Sequence, residues 1–546
     1  MRIALGQFNA TVGDLAGNVA KMKKIWSDAM AAGADLVAFP EMAICGYPPE
    51  DLVYKRQFVR DNRMALEELA AACDRQTVVV GFVEQGEHGL YNAAAVIRKG
   101  RIVHTYHKCN LPNYSVFDEQ RYFQSGDRPV VVDVGGLRVA VTICEDLWHT
   151  QRLTDLLMGV GRIHLLLNIS ASPFDVGKLS LRGEVITKCA GAFGCAVAYC
   201  NLIGGQDELV FDGRSILADS AGHIAAKARA FDEDLLVADV REDGGGVKVL
   251  PTQPPAAQPA DTVEEIYQAL VLGTRDYALK NGFKQAILGI SGGIDSAVTA
   301  AIAAAALGPQ NVQCVTMPSR FNSPETIVDS QLVADNLGCP LLAVPIEPIL
   351  AQFHASLKAD PLWTDEGIAY ENLQARIRGM ILMSLSNQGG SLVLTTGNKS
   401  EVSVGYSTLY GDSAGGFGVI KDVLKTMVYQ LAEYINRHSG REVIPAATIR
   451  RIPSAELRPN QKDTDSLPDY DLLDRIITGY VEEDKSAREL VDSGLPVETV
   501  ERVIRMIDRN EYKRRQSAPG VRITPKAFGK DRRLPITNHY TTTVKR

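Results

Sequence analysis

Short apolar runs alternate with amphipathic stretches along the first half of the chain. Residues 19–32 carry apolar side chains at helical spacing and end at Gly33, which is typical of an amphipathic helix closed by a glycine. The shorter runs have the length and apolar content of buried strands. These strand-like runs are residues 2–8, 35–39, 77–83, 93–98, 130–133, 138–143, 163–168 and 196–201. The pattern predicts an α/β fold for this half.

The second half repeats the alternation with longer helices. An amphipathic helix over 263–280 precedes a buried strand at 285–290, a glycine turn and an alanine-rich helix. Further strand-like runs at 312–317, 341–345 and 392–395 are separated by helical stretches. A strand–helix–strand rhythm of this kind predicts a doubly wound parallel sheet.

One stretch between the halves has the composition of a linker. Residues 241–262 hold three consecutive glycines and four prolines, which favour turns and extended chain. We therefore predict an N-terminal domain at 1–245, a linker at 246–262 and a C-terminal domain at 263–546. A chain of 546 residues has room for two or three domains.

Composition and charge exclude several classes of protein. The net charge of −7, from 58 basic and 65 acidic residues, argues against a nucleic-acid partner. Nine scattered cysteines, without a CxxC pair, are typical of reduced thiols in a cytoplasmic protein. The N-terminus lacks a signal-peptide pattern, and the apolar stretch 297–306 is too short to span a membrane. We expect neither a targeting segment nor a membrane partner.

Residues 289–296 form a glycine turn between a predicted strand and a predicted helix. Its glycines permit close backbone approach to a ligand, and a helix N-terminus attracts phosphate. A carboxylate in such a turn, Asp295, suggests Mg²⁺, because it would otherwise repel phosphate. The turn lacks the Walker A pattern and resembles the SGGxDS loop of the ATP pyrophosphatases. That resemblance implies that ATP is bound by Gly289, Ile290, Ser291, Gly292, Gly293, Ile294, Asp295 and Ser296.

Cys144 follows the apolar run 138–143, where a lone cysteine is more often a core residue than a nucleophile. Two further residues change that interpretation. Glu41 ends a strand in Phe39-Pro40-Glu41, and Lys108 lies in the segment 106–112. Glutamate, lysine and cysteine in this order resemble the nitrilase-like amidases. The chemistry fits, because the glutamate can take the thiol proton and the lysine can stabilise the oxyanion of an attacked carboxamide.

An amidase half followed by an ATP-splitting half resembles the family of glutamine-dependent NAD⁺ synthetases over nearly the whole chain. The motifs that carry the resemblance lie in order in both halves, and each alone would be weak. They are Phe39-Pro40-Glu41, residues 108–119, 143–148 and 168–173 in the first half, and 317–320, 371–376, 395–401, 416–426 and 511–513 in the second. Small departures at Phe321-Asn322 and at 518–520 concern loop contacts.

The resemblance implies a fold, substrates and site residues. It implies an αββα sandwich for the first half and an adenine-nucleotide α-hydrolase-like domain for the second. Glutamine would be held by Tyr114, Ser172 and Lys178, ATP also by Thr396, and deamido-NAD⁺ by Asn372, Glu401 and Lys513. Mg²⁺ would lie near Asp295 and Glu401. Members of the family assemble as homo-oligomers, so a homo-oligomer is expected.

Two alternatives stay open at this point. The chain could be another glutamine-dependent ligase that adenylates a different carboxylate, or a nucleotide-binding or ammonia-sensing protein without catalysis. The presence of Glu41, Lys108, Cys144 and Asp295 disfavours the second. Because ammonium is largely protonated and unreactive at neutral pH, we also hypothesise an enclosed path that carries ammonia between the sites.

Overall fold

The structure, a computed structural model, describes residues 1–540, 542 and 544. The chain divides into two compact units, Met1–Ala260 and Asp261–Arg546. Among the described residues, no helix is both long enough and apolar enough to cross a membrane. The nine cysteines, all within the described range, are buried and free of disulfide bonds.

The first unit contains two large sheets and a two-stranded ribbon. A seven-stranded sheet has the order β15-β14-β1-β2-β3-β4-β5, a six-stranded sheet has the order β13-β12-β9-β8-β7-β6, and β10 pairs with β11. The strands are β1 (Arg2–Gln7), β2 (Leu36–Ala38), β3 (Thr77–Gly86), β4 (Gly89–Arg98), β5 (Arg101–His107), β6 (Val130–Val134), β7 (Leu137–Ile143), β8 (Leu165–Ser170), β9 (Ala196–Asn201), β10 (Ile203–Gln206), β11 (Leu209–Asp212), β12 (Ile216–Ala218), β13 (Ile224–Lys227), β14 (Asp234–Asp243) and β15 (Gly246–Pro251).

The two large sheets pack face to face with helices outside. Side chains of both sheets, such as Leu5 and Leu167, share one core. Helices α1 (Leu15–Ala31) and α2 (Arg56–Ala72) cover the outer face of the first sheet, while α3 (Thr150–Leu156) and α4 (Lys178–Phe193) cover that of the second. The predicted αββα sandwich is confirmed.

Part of the predicted linker is a strand. The expected linker begins at residue 246, whereas residues 246–251 form β15 at the edge of the seven-stranded sheet. Gly244 and Gly245 both have positive φ and connect β14 to β15 as a two-residue hairpin turn. Such turns favour glycine at both positions. The glycine run therefore makes a tight turn, and the alternation of buried Val247 and Val249 with exposed neighbours marks the strand.

The second unit is built on a five-stranded parallel sheet of order β18-β17-β16-β19-β20. Helices α8 and α9 pack on one face, and α6 also contacts β16 and β17. The strands are β16 (Ala286–Gly289), β17 (Val312–Thr316), β18 (Leu341–Ala343), β19 (Leu392–Thr395) and β20 (Phe417–Gly418). The predicted parallel sheet is confirmed.

The helices of this unit surround the sheet and extend beyond it into a separate helical cluster, which buries Leu473, Ile477 and Val503. They are α5 (Thr262–Lys280), α6 (Ile294–Leu307), α7 (Pro324–Leu337), α8 (Glu347–Leu357), α9 (Gly367–Gly389), α10 (Lys399–Val404), α11 (Lys425–Ser439), α12 (Ala446–Arg450), α13 (Tyr470–Ile477), α14 (Ala487–Asp492), α15 (Val497–Arg509) and α16 (Glu511–Arg514). Parallel pairing of β16 with β17 and β19 places their carboxyl ends at one edge, where α/β proteins bind ligands.

Candidate active sites

Glu41 lies in the turn that follows β2 and is fully buried. The turn packs directly on the backbone of β3, because Gly81 has no side chain there. A Cβ at Gly81 would lie 2.2 Å from the amide nitrogen of Met42. The Glu41 carboxylate is held from both sides. Its Oε1 accepts Asn92 Nδ2 at 2.7 Å, and its Oε2 accepts the amide of Ala171 at 2.8 Å.

Lys108 follows β5 and brings a buried ammonium to this carboxylate. Its Nζ lies 2.7 Å from Glu41 Oε1 and 2.8 Å from Glu119 Oε1. Burial opposes the charge on Lys108, but the carboxylates of Glu119 and Glu41 outweigh it, so its pKa lies well above its usual range. Lys108 is therefore a fixed positive charge at neutral pH.

Cys144 begins a 3₁₀ helix, Cys144–Trp148, directly after β7. Its φ of 42° is unusual for a residue other than glycine. Burial raises the pKa of the Cys144 thiol well above its usual range, the charge of Glu41 raises it further, and Lys108 lowers it. The thiol is thus neutral at rest and needs a base to become a nucleophile. The charges of Glu41 and Lys108 both affect the pKa of this thiol, so the fold brings the three predicted catalytic residues together.

Glu119 is a second buried carboxylate in this site. It accepts Tyr47 Oη at 2.9 Å and Asn92 Nδ2 at 3.4 Å besides Lys108. Burial raises its pKa to about 7, against the opposing effect of Lys108 and with a further contribution from Glu41. The only sequence signal for this role is its place at the end of the motif 108–119.

Two of the three residues predicted to bind glutamine, Tyr114 and Lys178, lie against the ring of Phe117. The Tyr114 ring packs edge-on against Phe117, with centroids 5.6 Å apart, and Lys178 Nζ lies 5.9 Å from the centroid of the same ring. Ser172 is buried, and its amide donates to Asn201 Oδ1 at 3.0 Å. Tyr114 Oη donates to Glu145 at 3.0 Å. Both Tyr114 and Glu145 line a cleft of about 580 Å³.

The second site starts at the glycine turn between β16 and α6. Gly292 has a φ of +79°, and a Cβ there would lie 2.1 Å from the carbonyl oxygen of Thr326. Ser291 and Ser296 fold the turn on itself, since the Ser296 hydroxyl donates to Gly293 O at 2.9 Å and the Gly293 amide donates to Ser291 Oγ at 3.3 Å. Thr396 directly follows β19, which pairs with β16. It therefore lies at the same sheet edge as the turn.

The two predicted metal ligands, Asp295 and Glu401, both lie close to one buried lysine, Lys425. Lys425 Nζ contacts Asp295 Oδ2 and lies 3.9 Å from Glu401 Oε1. Asn398 Nδ2 also donates to Asp295 Oδ1 at 2.8 Å. Burial, with the charge of Asp295, raises the pKa of Glu401 to about 8, although Lys425 lowers it. The sequence did not predict Lys425, because it lies 130 residues from Asp295 and only the folded chain brings the two side chains together.

Of the three residues predicted to bind deamido-NAD⁺, Asn372 and Lys513 contact the segment 401–408, and Glu401 begins it. Thr408 Oγ1 donates to Asn372 Oδ1 at 2.6 Å, and Lys513 Nζ donates to the carbonyls of Gly405 and Ser407 at 2.7 and 2.8 Å. Glu401 lies in α10 at the start of the segment. Asn372 lies inside α9, which begins at Gly367.

Comparison with protein families assigns each half. The carbon-nitrogen hydrolase family matches residues 2–248, and the NAD synthase family matches residues 266–517. A glutamine-dependent NAD(+) synthetase from Thermotoga maritima is 44% identical to this chain, with 99% of both chains covered. The chain belongs to the glutamine-dependent NAD(+) synthetase family. The predicted family is therefore confirmed, and another synthetase, from Acinetobacter baylyi, is 44% identical over 98% of both chains.

Solved glutamine-dependent NAD(+) synthetases also share the fold. The structure from Acinetobacter baumannii, in complex with ADP, is 42% identical over 99% of both chains and superposes with a TM-score of 0.79. The structure from Cytophaga hutchinsonii, with 23% identity over 98% of both chains, superposes with a TM-score of 0.83 and shows the fold alone.

Proposed function

We propose that this chain is a glutamine-hydrolysing NAD⁺ synthase that amidates deamido-NAD⁺ with Mg·ATP. The observation that carries the proposal is the pairing of two assembled centres in one chain of this family. The first is the Glu41, Lys108 and Cys144 group. The second is the glycine turn with Asp295 and Glu401.

Glutamine hydrolysis follows from the first centre. The Cys144 sulfur attacks the carboxamide carbon, and Glu41 takes the thiol proton, for which Oε2 has a lone pair besides the one facing Ala171. The Lys108 ammonium stabilises the oxyanion. Collapse expels ammonia, to which Glu41 returns the proton, and leaves a thioester. Water, deprotonated by Glu41, then releases glutamate and restores the thiol.

Amide synthesis follows at the second centre. The carboxylate of deamido-NAD⁺ attacks the α-phosphorus of ATP, which gives an adenylate and pyrophosphate. Ammonia then displaces AMP and leaves NAD⁺. The backbone amides of Gly292 and Ile294, at the N-terminus of α6, and the Lys425 ammonium would bind phosphate oxygens. Thr396 contributes to ATP binding, and Asn372, Glu401 and Lys513 to deamido-NAD⁺ binding.

The residues of the second centre fit Mg²⁺. This ion is held in such sites by one or two carboxylates together with substrate phosphates, and Asp295 and Glu401 supply two. The raised pKa of Glu401 is consistent with a cation site, because the charge of Lys425 alone does not offset the effects of burial and of the Asp295 charge on this carboxyl group. Bound there, Mg²⁺ would supply positive charge for the phosphate oxygens.

A direct assay tests the function. The purified protein is incubated with deamido-NAD⁺, ATP, Mg²⁺ and glutamine, and NAD⁺, AMP, pyrophosphate and glutamate are measured. Equal amounts of the four products support the proposal. ATP cleavage only with another carboxylate would favour a ligase with a different acceptor, and absence of any pyrophosphate release would favour a non-catalytic binding protein.

Chelation separates the two chemistries. We predict that EDTA abolishes NAD⁺ synthesis and leaves glutamine hydrolysis in the absence of ATP unchanged, because only the phosphate chemistry uses the metal. Ammonia release and NAD⁺ formation are measured in parallel, before and after Mg²⁺ is added back. Loss of both activities with EDTA would contradict this assignment.

Glutamine recognition needs a cation for the α-carboxylate and an anion for the α-ammonium. We assign the first role to Lys178, with Ser172 and Tyr114 alongside, and the second to Glu145. We predict that Lys178→Met raises the KM for glutamine by roughly 10–100-fold, because a charge-assisted hydrogen bond is lost. The exposed Lys188, also in α4, gives the matched control Lys188→Met. An unchanged KM in Lys178→Met would remove this residue from the glutamine site.

We propose a homo-oligomer in the cytoplasm. Half-exposed Ile349, Phe353 and Leu357 form an apolar stripe along α8, and uncovered stripes of this kind are typical of protein contacts. The buried, unpaired cysteines fit a reducing compartment. Light scattering measures the stoichiometry.

A further inference from the structure

One carboxylate near Cys144 has no part in the chemistry described so far. Asp146 lies two residues after Cys144 and is fully buried. Its Oδ1 accepts the amides of Cys109 and Asn110, at 3.1 and 2.8 Å, and Asn110 Nδ2 at 3.2 Å. Its Oδ2 accepts the amide of Ile143 at 3.0 Å and Tyr106 Oη at 2.8 Å. Five donors thus converge on one side chain.

These donors belong to the two segments that carry reacting groups. Tyr106, Cys109 and Asn110 surround Lys108 in sequence, while Ile143 precedes Cys144. The backbone of Lys108 is fixed to β4 by its amide, which donates to Asn92 O at 2.9 Å. Beyond Lys108 the strand has ended, and the next two amides donate to Asp146 instead. Asp146 therefore replaces the sheet as the anchor of this segment.

The same carboxylate closes the turn at Cys144. The left-handed backbone of Cys144 is unfavourable for a residue with a side chain and persists only where its surroundings hold it. The hydrogen bond from Ile143 N to Asp146 Oδ2 joins the residue before Cys144 to the residue two positions after it. Removal of the bond would free the turn to relax and move the sulfur.

We propose that Asp146 is a positioning residue of the glutaminase centre, whose carboxylate fixes the Lys108 segment to the Cys144 turn and so sets the distance between ammonium and thiol. The inference rests on the proposed glutaminase function of that centre. Because Asp146 is buried and its oxygens face protein donors, it acts through Lys108 and Cys144 and not on glutamine. Its loss therefore affects turnover more than substrate affinity.

The test is Asp146→Asn in the full chain. The new amide nitrogen cannot accept a hydrogen bond, so it faces at least one backbone N–H group without pairing. We expect kcat for glutamine hydrolysis to fall by roughly 10–100-fold, as for a displacement of catalytic groups by about 1 Å. KM for glutamine and ammonium-driven NAD⁺ synthesis are expected to stay near the wild-type values, because neither depends on this geometry.

The matched control is Asp219→Asn. Asp219 also accepts two backbone amides, those of Ala221 and His223, but in the turn between β12 and β13. It should change neither kcat nor KM. The second variant, Tyr106→Phe, removes one neutral donor from Asp146 and keeps the backbone donors. We expect a smaller decrease in kcat than for Asp146→Asn. If Asp146→Asn does not fold, Tyr106→Phe is the variant that tests the proposal.

Four outcomes would contradict the proposed role of Asp146 or the glutaminase function on which it rests. Wild-type kcat in a folded Asp146→Asn, shown by near-ultraviolet circular dichroism and retained ammonium-driven synthesis, would overturn the proposal. A raised KM with unchanged kcat would also overturn it and make Asp146 a support of the glutamine pocket. If Asp146→Asn does not fold, an unchanged kcat in Tyr106→Phe overturns it. Failure of the wild-type protein to hydrolyse glutamine would instead remove the proposed function on which the inference rests.

Discussion

Replacing Cys144 with alanine is expected to abolish glutamine-driven NAD⁺ synthesis and to leave ammonium-driven synthesis unchanged. The sulfur forms the thioester, and no other group in the site can replace it. Loss of a catalytic nucleophile lowers kcat by roughly 10⁴-fold or more. The synthetase centre needs only ammonia, which an ammonium salt supplies at raised pH. NAD⁺ formation is measured with glutamine and with ammonium as alternative nitrogen donors.

The matched control for this experiment is Cys195→Ala. Cys195 is also a buried cysteine of the first unit, directly before β9, and packs in the core between the second sheet and its helices. Its removal costs packing but no chemistry, so both activities are expected to persist. If ammonium fails to restore synthesis in a folded Cys144→Ala protein, the assignment of separate tasks to the two centres is wrong.

Gly292→Ala is expected to produce the opposite pattern, with ATP-dependent synthesis lost and basal glutamine hydrolysis retained. The added Cβ would lie 2.1 Å from Thr326 O, at a backbone φ that disfavours any side chain. The loop must move, and its amides then miss the phosphates. We expect kcat/KM for ATP to fall by at least about 100-fold.

Gly282→Ala separates steric overlap from backbone strain. Gly282 has a φ of +83°, close to that of Gly292, but a Cβ there would meet no atom within 4 Å. This variant should lose stability, by roughly 1–2 kcal/mol for a left-handed residue, and keep its ATP kinetics. Steady-state rates and thermal unfolding of both variants check the prediction. Equal decreases of kcat/KM for ATP in the two variants would show that backbone strain, and not the contact with Thr326, accounts for the lost ATP binding.

Apolar periodicity predicted most of the fold because burial imposes it. The buried runs at 77–83 and 138–143 became β3 and β7, and the strand–helix rhythm after residue 262 became a parallel sheet. The prediction was wrong for 246–251, where glycine and proline content outweighed the alternation of Val247 and Val249. Local composition could not reveal that β14 offers this segment a partner.

Site residues were predictable where a local motif constrains the backbone. The 289–296 loop has such a motif, and its physics follows from glycine and a helix N-terminus. Glu119 and Lys425 lie in the motifs 108–119 and 416–426, but neither motif constrains the backbone as the glycine turn does, and each is a charged residue that would be solvated if the chain were extended. Only the folded chain brings Glu119 to Lys108 and Lys425 to Asp295. Their roles depend on contacts between segments, which periodicity does not encode.

The hairpin of β14 and β15 determines where the chain can be divided. A fragment that stops at residue 245, as linker composition would suggest, loses the edge strand of a seven-stranded sheet and the apolar cover of Val247 and Val249. The exposed edge of β14 would then be free to pair with another molecule and cause aggregation. A fragment that ends at Ala260 keeps the hairpin. Chimaeras that exchange amidase halves between relatives therefore need their junction after Pro251.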